Sequence, residues 1–395
     1  MLAPMKIILA TESYYPNISG VAVSTFLVAK TLVHEGHDVW VFAPSTDLAD
    51  REERPAELDR LTVCRFRSVR NPFRSGFRVA LFPGKSAQRL VRLIRPDIVH
   101  LQDPAGISAA VMGAAKHLGV PVVISHHFSL DYITAYCWFF GAAKGLAKQG
   151  LVAYLRRFYN RADAVIAPSH TTANMLLDWG VKTKVSPISN GVSLERFYSY
   201  TPPTAIFRRY RLPAHVPIVL YVGRIDRDKS VEVLIEAIPR ILQQCRAHFV
   251  LVGGGDFRNK CVKKAQQLGV LDSVTWIGPV PHESEDLPQL YQVARVFVIP
   301  STAESQSMVT LEAMASGLPI VGARAGALGE LVTTGENGFL FSPGESGELA
   351  DCVVKILSSP NLVEELGRRS LLKAAEHRVE TAHGHLLAVY QALKS

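Results

Sequence analysis

The chain has 395 residues and a net charge of +8, and it is 48% hydrophobic and 20% charged. This length favours two domains, and the composition excludes a disordered protein. The positive charge suits an anionic substrate or an anionic surface.

The cysteines and the first residues bear on where the protein works. The five cysteines are scattered, odd in number and form no C-x-x-C motif. This pattern indicates reduced thiols and argues against a disulfide framework or a zinc site. The apolar start of the chain is too short for a signal peptide, and no apolar run reaches the roughly 18 residues that a membrane-spanning helix needs. We therefore expect a cytoplasmic protein, with at most peripheral binding to the inner face of the cell membrane.

The chain opens with a strand, a glycine-containing loop and a helix. Apolar residues predict a buried strand over Lys6–Thr11, a helix over Ala22–Gly36 and a second strand over His37–Ala43. In the intervening loop, Gly20 would let the backbone approach a phosphate closely. The loop lacks the G-x-G-x-x-G pattern, so it gives little support to dinucleotide binding.

A long basic segment follows a charged loop at 47–59, which we expect to be exposed. Between residues 60 and 95 no acidic residue occurs, four phenylalanines are interleaved, and ten residues are basic: Arg60, Arg65, Arg67, Arg70, Arg74, Arg78, Lys85, Arg89, Arg92 and Arg95. One interpretation is a solvated basic face. The other is docking on anionic lipid, where each basic residue near the surface contributes about 1 kcal/mol. Basic and aromatic residues together also suit nucleic acid, but no nucleic-acid motif appears, so we expect no nucleic-acid partner.

Two histidines follow a predicted strand in the first half. Strands are predicted over Asp97–Gln102 and Pro121–Ser125, and the second ends at His126 and His127. The carboxyl edge of a parallel sheet is the usual place for a ligand, although a lone histidine is more often structural. Adjacent side chains do not converge easily on a metal, and no third ligand is near in sequence.

An apolar and basic stretch closes the first half. Residues 138–161 predict an amphipathic helix, which either lies on a membrane or packs against the sheet. Strands are predicted over Asp163–Pro168 and Lys184–Ile188. The segment Tyr198–Pro217 contains four prolines and few periodic apolar residues, so we interpret it as a linker.

A second series of strands and helices begins at Ile218. A strand over Ile218–Val222 leads to Arg224, Lys229 and a helix over Val231–Gln243. Two cations beside the N–H groups of a helix start suit a diphosphate. Asp226 and Asp228 spell D-x-D, a metal-binding motif in a different enzyme architecture, but cations on both sides would neutralise this pair.

The segment Pro300–Pro319 carries the strongest functional signal. A strand enters it at 295–299, a small-residue loop and a helix follow, and a buried strand begins at Pro319. This places Glu304 in the loop at the carboxyl edge of the sheet and Glu312 on the helix. The backbone N–H groups of Ser307, Met308 and Val309 fall in the first turn, where free donors favour phosphate. Carboxylates for hydroxyls beside N–H groups for phosphate suit a sugar nucleotide.

This E-x7-E pattern, followed by A-M-A-S-G-L-P-I-V, resembles the retaining GT-B glycosyltransferases of family four. The resemblance covers nearly the whole chain and implies two doubly wound α/β domains, Rossmann-like, facing across a cleft. The implied acceptor-side domain covers 1–198 and is joined by the last helix, 379–395. The implied nucleotide-sugar domain covers 199–378.

The resemblance also implies roles for single residues. Arg224 and Lys229 would hold the donor diphosphate, Glu304 the sugar hydroxyls and Glu312 the ribose hydroxyls. The loop with Gly20 would face the donor phosphate and the acceptor, His127 the sugar or the acceptor, and the backbone near Val280 the nucleobase. The family usually has glycine at the position of Ser307, where a serine crowds the loop.

The sequence therefore predicts a retaining hexosyltransferase with a nucleotide-sugar donor, UDP-sugar favoured and GDP-mannose the alternative. A membrane lipid such as diacylglycerol or a glycolipid is the expected acceptor, because both basic and apolar stretches lie in the acceptor-side half. No cofactor or essential metal is expected, since cations already face the diphosphate. A soluble sugar or polysaccharide acceptor, an epimerase on the same fold, and a non-catalytic lipid-binding module are the alternatives.

Overall fold

The computed structural model describes residues 3–16, 19–71, 77–127, 144–198 and 204–394. Its internal contacts divide these residues into two compact units. Unit 1 comprises 3–127, 144–189 and 382–394, and unit 2 comprises 190–198 and 204–381. The first change of unit falls nine residues before the predicted boundary at 198, and the second falls three residues after the predicted boundary at 378.

Unit 1 is an α/β unit built on a largely parallel sheet. Its strands are β1 (Lys6–Ala10), β2 (Asp38–Pro44), β3 (Arg51–Glu53), β4 (Leu61–Phe66), β5 (Ser68–Arg70), β6 (Arg78–Ala80), β7 (Ile98–Leu101), β8 (Val122–Ser125), β9 (Ala164–Ala167) and β10 (Val185–Pro187). Its helices are α1 (Gly20–His34), α2 (Gly84–Ile94), α3 (Gly106–Leu118), α4 (Lys144–Tyr159) and α5 (His170–Asp178).

The main sheet of unit 1 has the strand order β10-β9-β8-β7-β1-β2-β4-β3. All of its pairs are parallel except β3 with β4, and β5 pairs with β6 in a separate antiparallel ribbon. Every residue of β7, β8 and β9 is buried, as expected for parallel strands covered on both faces. The carboxyl ends of β1, β7 and β8 therefore meet at one edge of the sheet.

Unit 2 repeats the architecture with a fully parallel six-stranded sheet, order β13-β12-β11-β14-β15-β16. Its strands are β11 (Ile218–Val222), β12 (His248–Val252), β13 (Val274–Ile277), β14 (Val296–Ile299), β15 (Ile320–Ala323) and β16 (Gly338–Phe341). Its helices are α6 (Leu194–Phe197), α7 (Thr204–Arg209), α8 (Val231–Leu242), α9 (Arg258–Gln267), α10 (Asp286–Gln292), α11 (Met308–Ala315), α12 (Leu328–Leu331), α13 (Ser346–Leu357) and α14 (Pro360–Ala375).

The last helix, α15 (Val379–Lys394), returns the chain to unit 1. Tyr390 is fully buried there, and its hydroxyl lies 2.6 Å from His100 Nδ1. The other ring nitrogen of His100 lies 2.8 Å from Ser125 Oγ. Lys394 also forms an ion pair with Asp97, at 2.9 Å. These contacts hold α15 against the sheet of unit 1.

The predictions for two segments without regular structure are wrong in part. The expected linker contains helix α7 and contributes Ile206 and Leu212 to the core of unit 2, where Arg209 and Tyr210 bind Asp286. Its prolines interrupt the apolar periodicity, and a six-residue helix is too short to show one. The expected exposed loop at 47–59 contains the edge strand β3.

None of the helices in the described ranges has the length and apolarity that crossing a membrane requires. The described cysteines Cys64, Cys245, Cys261 and Cys352 are free, as the sequence predicted. The part of the amphipathic stretch before residue 144, with Cys137, lies outside the described residues.

Candidate active site

Two loops hold Glu304 at the carboxyl edge of the unit 2 sheet. It lies between β14 and α11, as predicted, with its side chain 10% exposed. The next loop along the sheet, after β15, supports its backbone: Ala327 N donates to the Glu304 carbonyl at 2.9 Å. Gly326 packs so closely that a Cβ there would overlap the same carbonyl oxygen. The position of Glu304 thus depends on a glycine that sequence reasoning did not single out.

Lys229 and Glu304 form an ion pair across neighbouring strands. Lys229 ends a short 3-10 turn after β11, and β11 pairs directly with β14. Lys229 Nζ donates to Glu304 Oε1 at 2.6 Å, and its side chain is 16% exposed. An ammonium group has three donors, so this bond leaves capacity for another acceptor such as a phosphate oxygen.

Arg224 contacts both carboxylates of the D-x-D sequence. Its guanidinium forms an ion pair with Asp226 and lies 3.2 Å from Asp228 Oδ2. Asp226 also accepts from the backbone N–H of Asp256, in the loop after β12. Within the described part of the chain no cluster of three His, Cys, Asp or Glu residues could hold a metal ion. The two aspartates orient Arg224 and the adjacent loop.

The start of α11 explains why serine is unusual at position 307. Ser307 has a φ of +82°, in the left-handed region that favours glycine, and its hydroxyl lies 2.7 Å from Thr310 Oγ1. Helix α11 begins at Met308, so the N–H groups of Ser307, Met308 and Val309 occupy its first turn as predicted. Their role in binding phosphate stays a prediction.

Glu312 is only 3% exposed, and each of its carboxylate oxygens faces a protein donor. Tyr291 donates its hydroxyl to Oε2 at 2.7 Å, and His282 Nε2 lies 3.3 Å from Oε1. Burial alone would lower the pKa of His282, but hydrogen bonds to Glu283 and Glu312 raise it to about 9. His282 is therefore an imidazolium at neutral pH.

Sequence reasoning missed both His282 and Tyr291. They lie 30 and 21 positions from Glu312, so no short motif joins them. One signal was available, because His282 follows the apolar run of β13 by five residues, and the carboxyl edge of a parallel sheet is the usual place for a ligand. Val280 lies in the same loop, half-buried against the core of unit 2.

In unit 1, the two adjacent histidines have different surroundings. His126 is fully buried, with Nδ1 2.7 Å from the Tyr159 hydroxyl, which indicates a structural role. His127 is half-buried, and its Nε2 lies 2.8 Å from Gln102 Oε1. Burial lowers the pKa of His127 to about 4, so its ring is neutral at physiological pH. A neutral imidazole can accept a proton or a hydrogen bond from a hydroxyl.

Gly20 is the first residue of α1, and Ser19 caps that helix by accepting from Ala22 N at 3.1 Å. A Cβ at Gly20 would meet no protein atom within 4 Å. Within the described ranges, protein packing therefore does not require a glycine there. The predicted role in approaching a ligand stays a prediction.

Sequence reasoning also missed a pair of carboxylates, Glu12 and Asp103, at the carboxyl edge of the unit 1 sheet. Glu12 follows β1 and accepts from Ile107 N at 2.8 Å, and its own N–H donates to Asp103, which follows β7. Burial, with the nearby Asp103 charge, raises the pKa of Glu12 to about 7. Because Glu12 binds backbone at the start of α3, its described contacts are those of a helix cap.

The basic segment is less one-sided in the structure than in the sequence. Three of its arginines pair with acids from 38–53: Arg60 with Asp38, Arg65 with Glu53 and Arg67 with Asp50. Arg78 binds Ser68. These ion pairs therefore neutralise part of the positive charge that was predicted to dock on lipid. Phe73 and Arg74 lie outside the described residues.

The remaining charge is concentrated on one face of α2. Lys85, Arg89 and Arg92 are exposed and spaced four and three residues apart, which aligns them along the helix. Phe82 is 94% exposed just before this helix, and Leu93 is 74% exposed on it. We call these five residues the α2 face.

Comparisons with known proteins match most of the chain. The family model for glycosyltransferase family 4 matches residues 18–196, and that for group 1 glycosyl transferases matches 216–359. A GDP-mannose-dependent alpha-mannosyltransferase of Mycolicibacterium smegmatis is 30% identical, covering 93% of this chain and 93% of that protein. An alpha-monoglucosyldiacylglycerol synthase of Streptococcus pneumoniae is 27% identical, covering 91% of this chain and 80% of that protein.

Solved structures share the fold over nearly the whole chain. A sucrose-phosphate synthase from Thermosynechococcus elongatus superimposes with a TM-score of 0.82 at 23% identity, covering 98% of this chain and 99% of that one. Anabaena HepE in complex with UDP-glucose gives a TM-score of 0.77 at 23% identity, covering 98% and 100%. The fold class is therefore GT-B, as predicted.

Proposed function

The chain belongs to the group 1 glycosyltransferases of family 4, and from this we propose that it transfers a hexose from a UDP-sugar to a membrane-lipid hydroxyl with retention. A glycosyltransferase with a nucleotide-sugar donor is what the relatives support directly. The base, the sugar, the acceptor and the stereochemistry are the proposal. GDP-mannose is the alternative donor.

The Lys229–Glu304 pair is the observation that supports the donor site most strongly. It joins a cation for phosphate and a carboxylate for sugar hydroxyls at the carboxyl ends of two adjacent strands. Arg224 adds a second cation, and the first-turn N–H groups of α11 add neutral donors. In a retaining transfer, these groups would stabilise charge that builds on the leaving diphosphate.

In unit 1, the proposal assigns His127 to the transferred sugar or the acceptor hydroxyl and Gly20 to the donor phosphate. The neutral ring of His127 suits a hydroxyl. Because Lys229 already engages Glu304, we assign Glu304 to sugar binding and not to a covalent intermediate. We propose departure and attack on the same face of the sugar.

The α2 face supports a lipid acceptor. It combines three aligned cations with two exposed apolar side chains, and such a surface suits an anionic bilayer. One relative, which aligns with 91% of this chain, is an alpha-monoglucosyldiacylglycerol synthase. We therefore propose diacylglycerol or a glycolipid as the acceptor and peripheral binding at the membrane surface.

A label-transfer assay tests the function. The protein is incubated with radiolabelled UDP- and GDP-sugars, each with a lipid extract or with soluble glycans, and the products are separated. We expect label from a UDP-sugar in the lipid fraction. Label in the glycan fraction would indicate a soluble acceptor instead of a lipid. Conversion of the donor to another nucleotide sugar without an added acceptor would indicate an epimerase. No turnover of any donor would overturn the proposal.

Liposome flotation tests the membrane surface. At about 1 kcal/mol per basic residue, the three cations of the α2 face give reversible binding to anionic vesicles at low salt, which added salt weakens. We expect Lys85→Glu/Arg89→Glu to abolish flotation and Arg368→Glu/Arg369→Glu, an exposed pair on α14, to preserve it. A protein that stays unbound at low salt would contradict membrane docking.

A further inference from the structure

We propose that His282 is a positioning residue that, together with Tyr291, fixes the Glu312 carboxylate so that it selects a ribose diol over a deoxyribose. This inference rests on the proposed function and deepens it, because it assigns sugar selectivity in the nucleotide to residues outside the E-x7-E motif.

The two protein donors address different oxygens of Glu312. Tyr291 donates to Oε2 at 2.7 Å, and His282 Nε2 lies 3.3 Å from Oε1. A carboxylate offers about four lone-pair sites. One protein donor on each oxygen fixes the plane of the group and leaves a lone pair on each oxygen. Two adjacent hydroxyls, such as the 2′ and 3′ hydroxyls of ribose, are the complementary donors.

His282 is itself held by several elements. Its Nδ1 lies 3.1 Å from Glu283 Oε1, and its carbonyl oxygen accepts from Arg196 at 2.5 Å. The ring of Phe197 packs against both His282 and Tyr291, with centroids 6.2 Å and 5.7 Å away. The imidazole therefore cannot turn away from Glu312 without breaking contacts to α6 and to its own loop.

The charges around this cluster balance. Glu312 and Glu283 are acids, Arg196 lies 3.9 Å from Glu283, and an imidazolium at His282 supplies the second cation. A buried carboxylate without a partner is strongly disfavoured, so removal of the imidazole would leave Oε1 unpaired and the group free to turn or take up a proton. Either change removes acceptors from a diol. A 2′-deoxyribose presents only one of these hydroxyls, so its binding affinity falls less than that of ribose.

The test measures affinity by calorimetry for UDP and 2′-deoxy-UDP, with GDP and 2′-deoxy-GDP as a second pair. A site built to bind a hydroxyl rejects the analogue that lacks it, so we expect the wild type to prefer the ribonucleotide by about tenfold or more. We expect His282→Leu to reduce this preference to about twofold. His282→Gln keeps a neutral donor and should retain part of the preference.

Kinetics and a matched histidine separate positioning from general damage. Because the ribose contacts change little during reaction, His282→Leu should raise the donor KM with kcat nearly unchanged. His248→Leu, which removes a half-buried histidine bound to Thr275 in the same unit, should leave the preference intact. Tyr291→Phe removes the other donor at constant size and should also lower the preference, which covers a His282→Leu protein that fails to fold.

Two outcomes would contradict the inference, and they differ in whether the proposed function fails with it. A wild type that prefers the ribonucleotide, with folded His282→Leu or Tyr291→Phe keeping the same ratio, overturns this inference alone. A wild type without affinity for either diphosphate overturns the proposed function and the inference with it.

Discussion

Replacement of Lys229 by alanine should lower kcat by about two to three orders of magnitude, the range found when one electrostatic donor to a developing negative charge is removed. In the proposed reaction, negative charge on the diphosphate increases as the sugar departs. An ammonium at that position therefore stabilises the transition state more than the bound donor, and its loss affects kcat more than KM.

The contact with Glu304 adds to this effect. Lys229 Nζ and Glu304 Oε1 are 2.6 Å apart, and the glutamate side chain is 10% exposed. Without the lysine, a mostly buried carboxylate loses its nearest cation and shifts from its place. The fold-decrease in kcat of the double variant Lys229→Ala/Glu304→Gln should thus be smaller than the product of the fold-decreases in the two single variants.

Lys260→Ala is the matched control. Lys260 lies on α9 in the same unit, pairs with Glu232 at 3.3 Å and has a 64% exposed side chain. Steady-state kinetics with the labelled donor should give wild-type turnover for it. A near-normal kcat in Lys229→Ala would contradict the proposed role of Lys229 at the donor diphosphate.

Replacement of Gly326 by alanine should have the second largest effect, on both stability and turnover. Gly326 has a φ of +53°, where a side chain costs about 1–2 kcal/mol, and its Cβ would overlap the Glu304 carbonyl oxygen. We expect a loss of about 2–4 kcal/mol in the free energy of unfolding. A displaced Glu304 should also lower kcat/KM by about 100-fold, since a shift of about 1 Å has such consequences.

Gly329→Ala provides the control three residues away. Gly329 lies in α12 with open space at its Cβ position. Its free energy of unfolding, measured by urea denaturation, should change by less than about 1 kcal/mol. Equal losses in the two variants would show that the overlap at Glu304 is not the cause.

Strands and the E-x7-E helix were predictable because their signals are local. The structure places β11 at the predicted residues and β7 and β14 within one residue of the predicted ends, since each is a short apolar run between turn residues. Glu304, Lys229 and the start of α11 also fall where predicted. Strands β3, β5 and β6 were missed because they are three residues long and carry charged residues, and the longer strands β4 and β16 were not predicted either.

The supporting contacts could not be predicted because they join distant parts of the chain. His282 pairs with Glu312, and Gly326 packs on Glu304, through loops from neighbouring strands. Likewise, the acids that neutralise Arg65 and Arg67 precede the basic segment and reach it only through sheet pairing. A sequence pattern shows which side chains a segment offers, but not which of them the fold brings together.

The return of α15 to unit 1 has a consequence for synthesis of the protein. The described residues of unit 2 run from 190 to 381, so its core can close before the last helix packs on unit 1. Unit 1 must wait, because Leu386, Leu387 and Tyr390 complete its core. Until then His100 Nδ1 lacks its partner, the Tyr390 hydroxyl. The first half to emerge from the ribosome is therefore the second to be finished, and the apolar surface that α15 covers stays exposed until then.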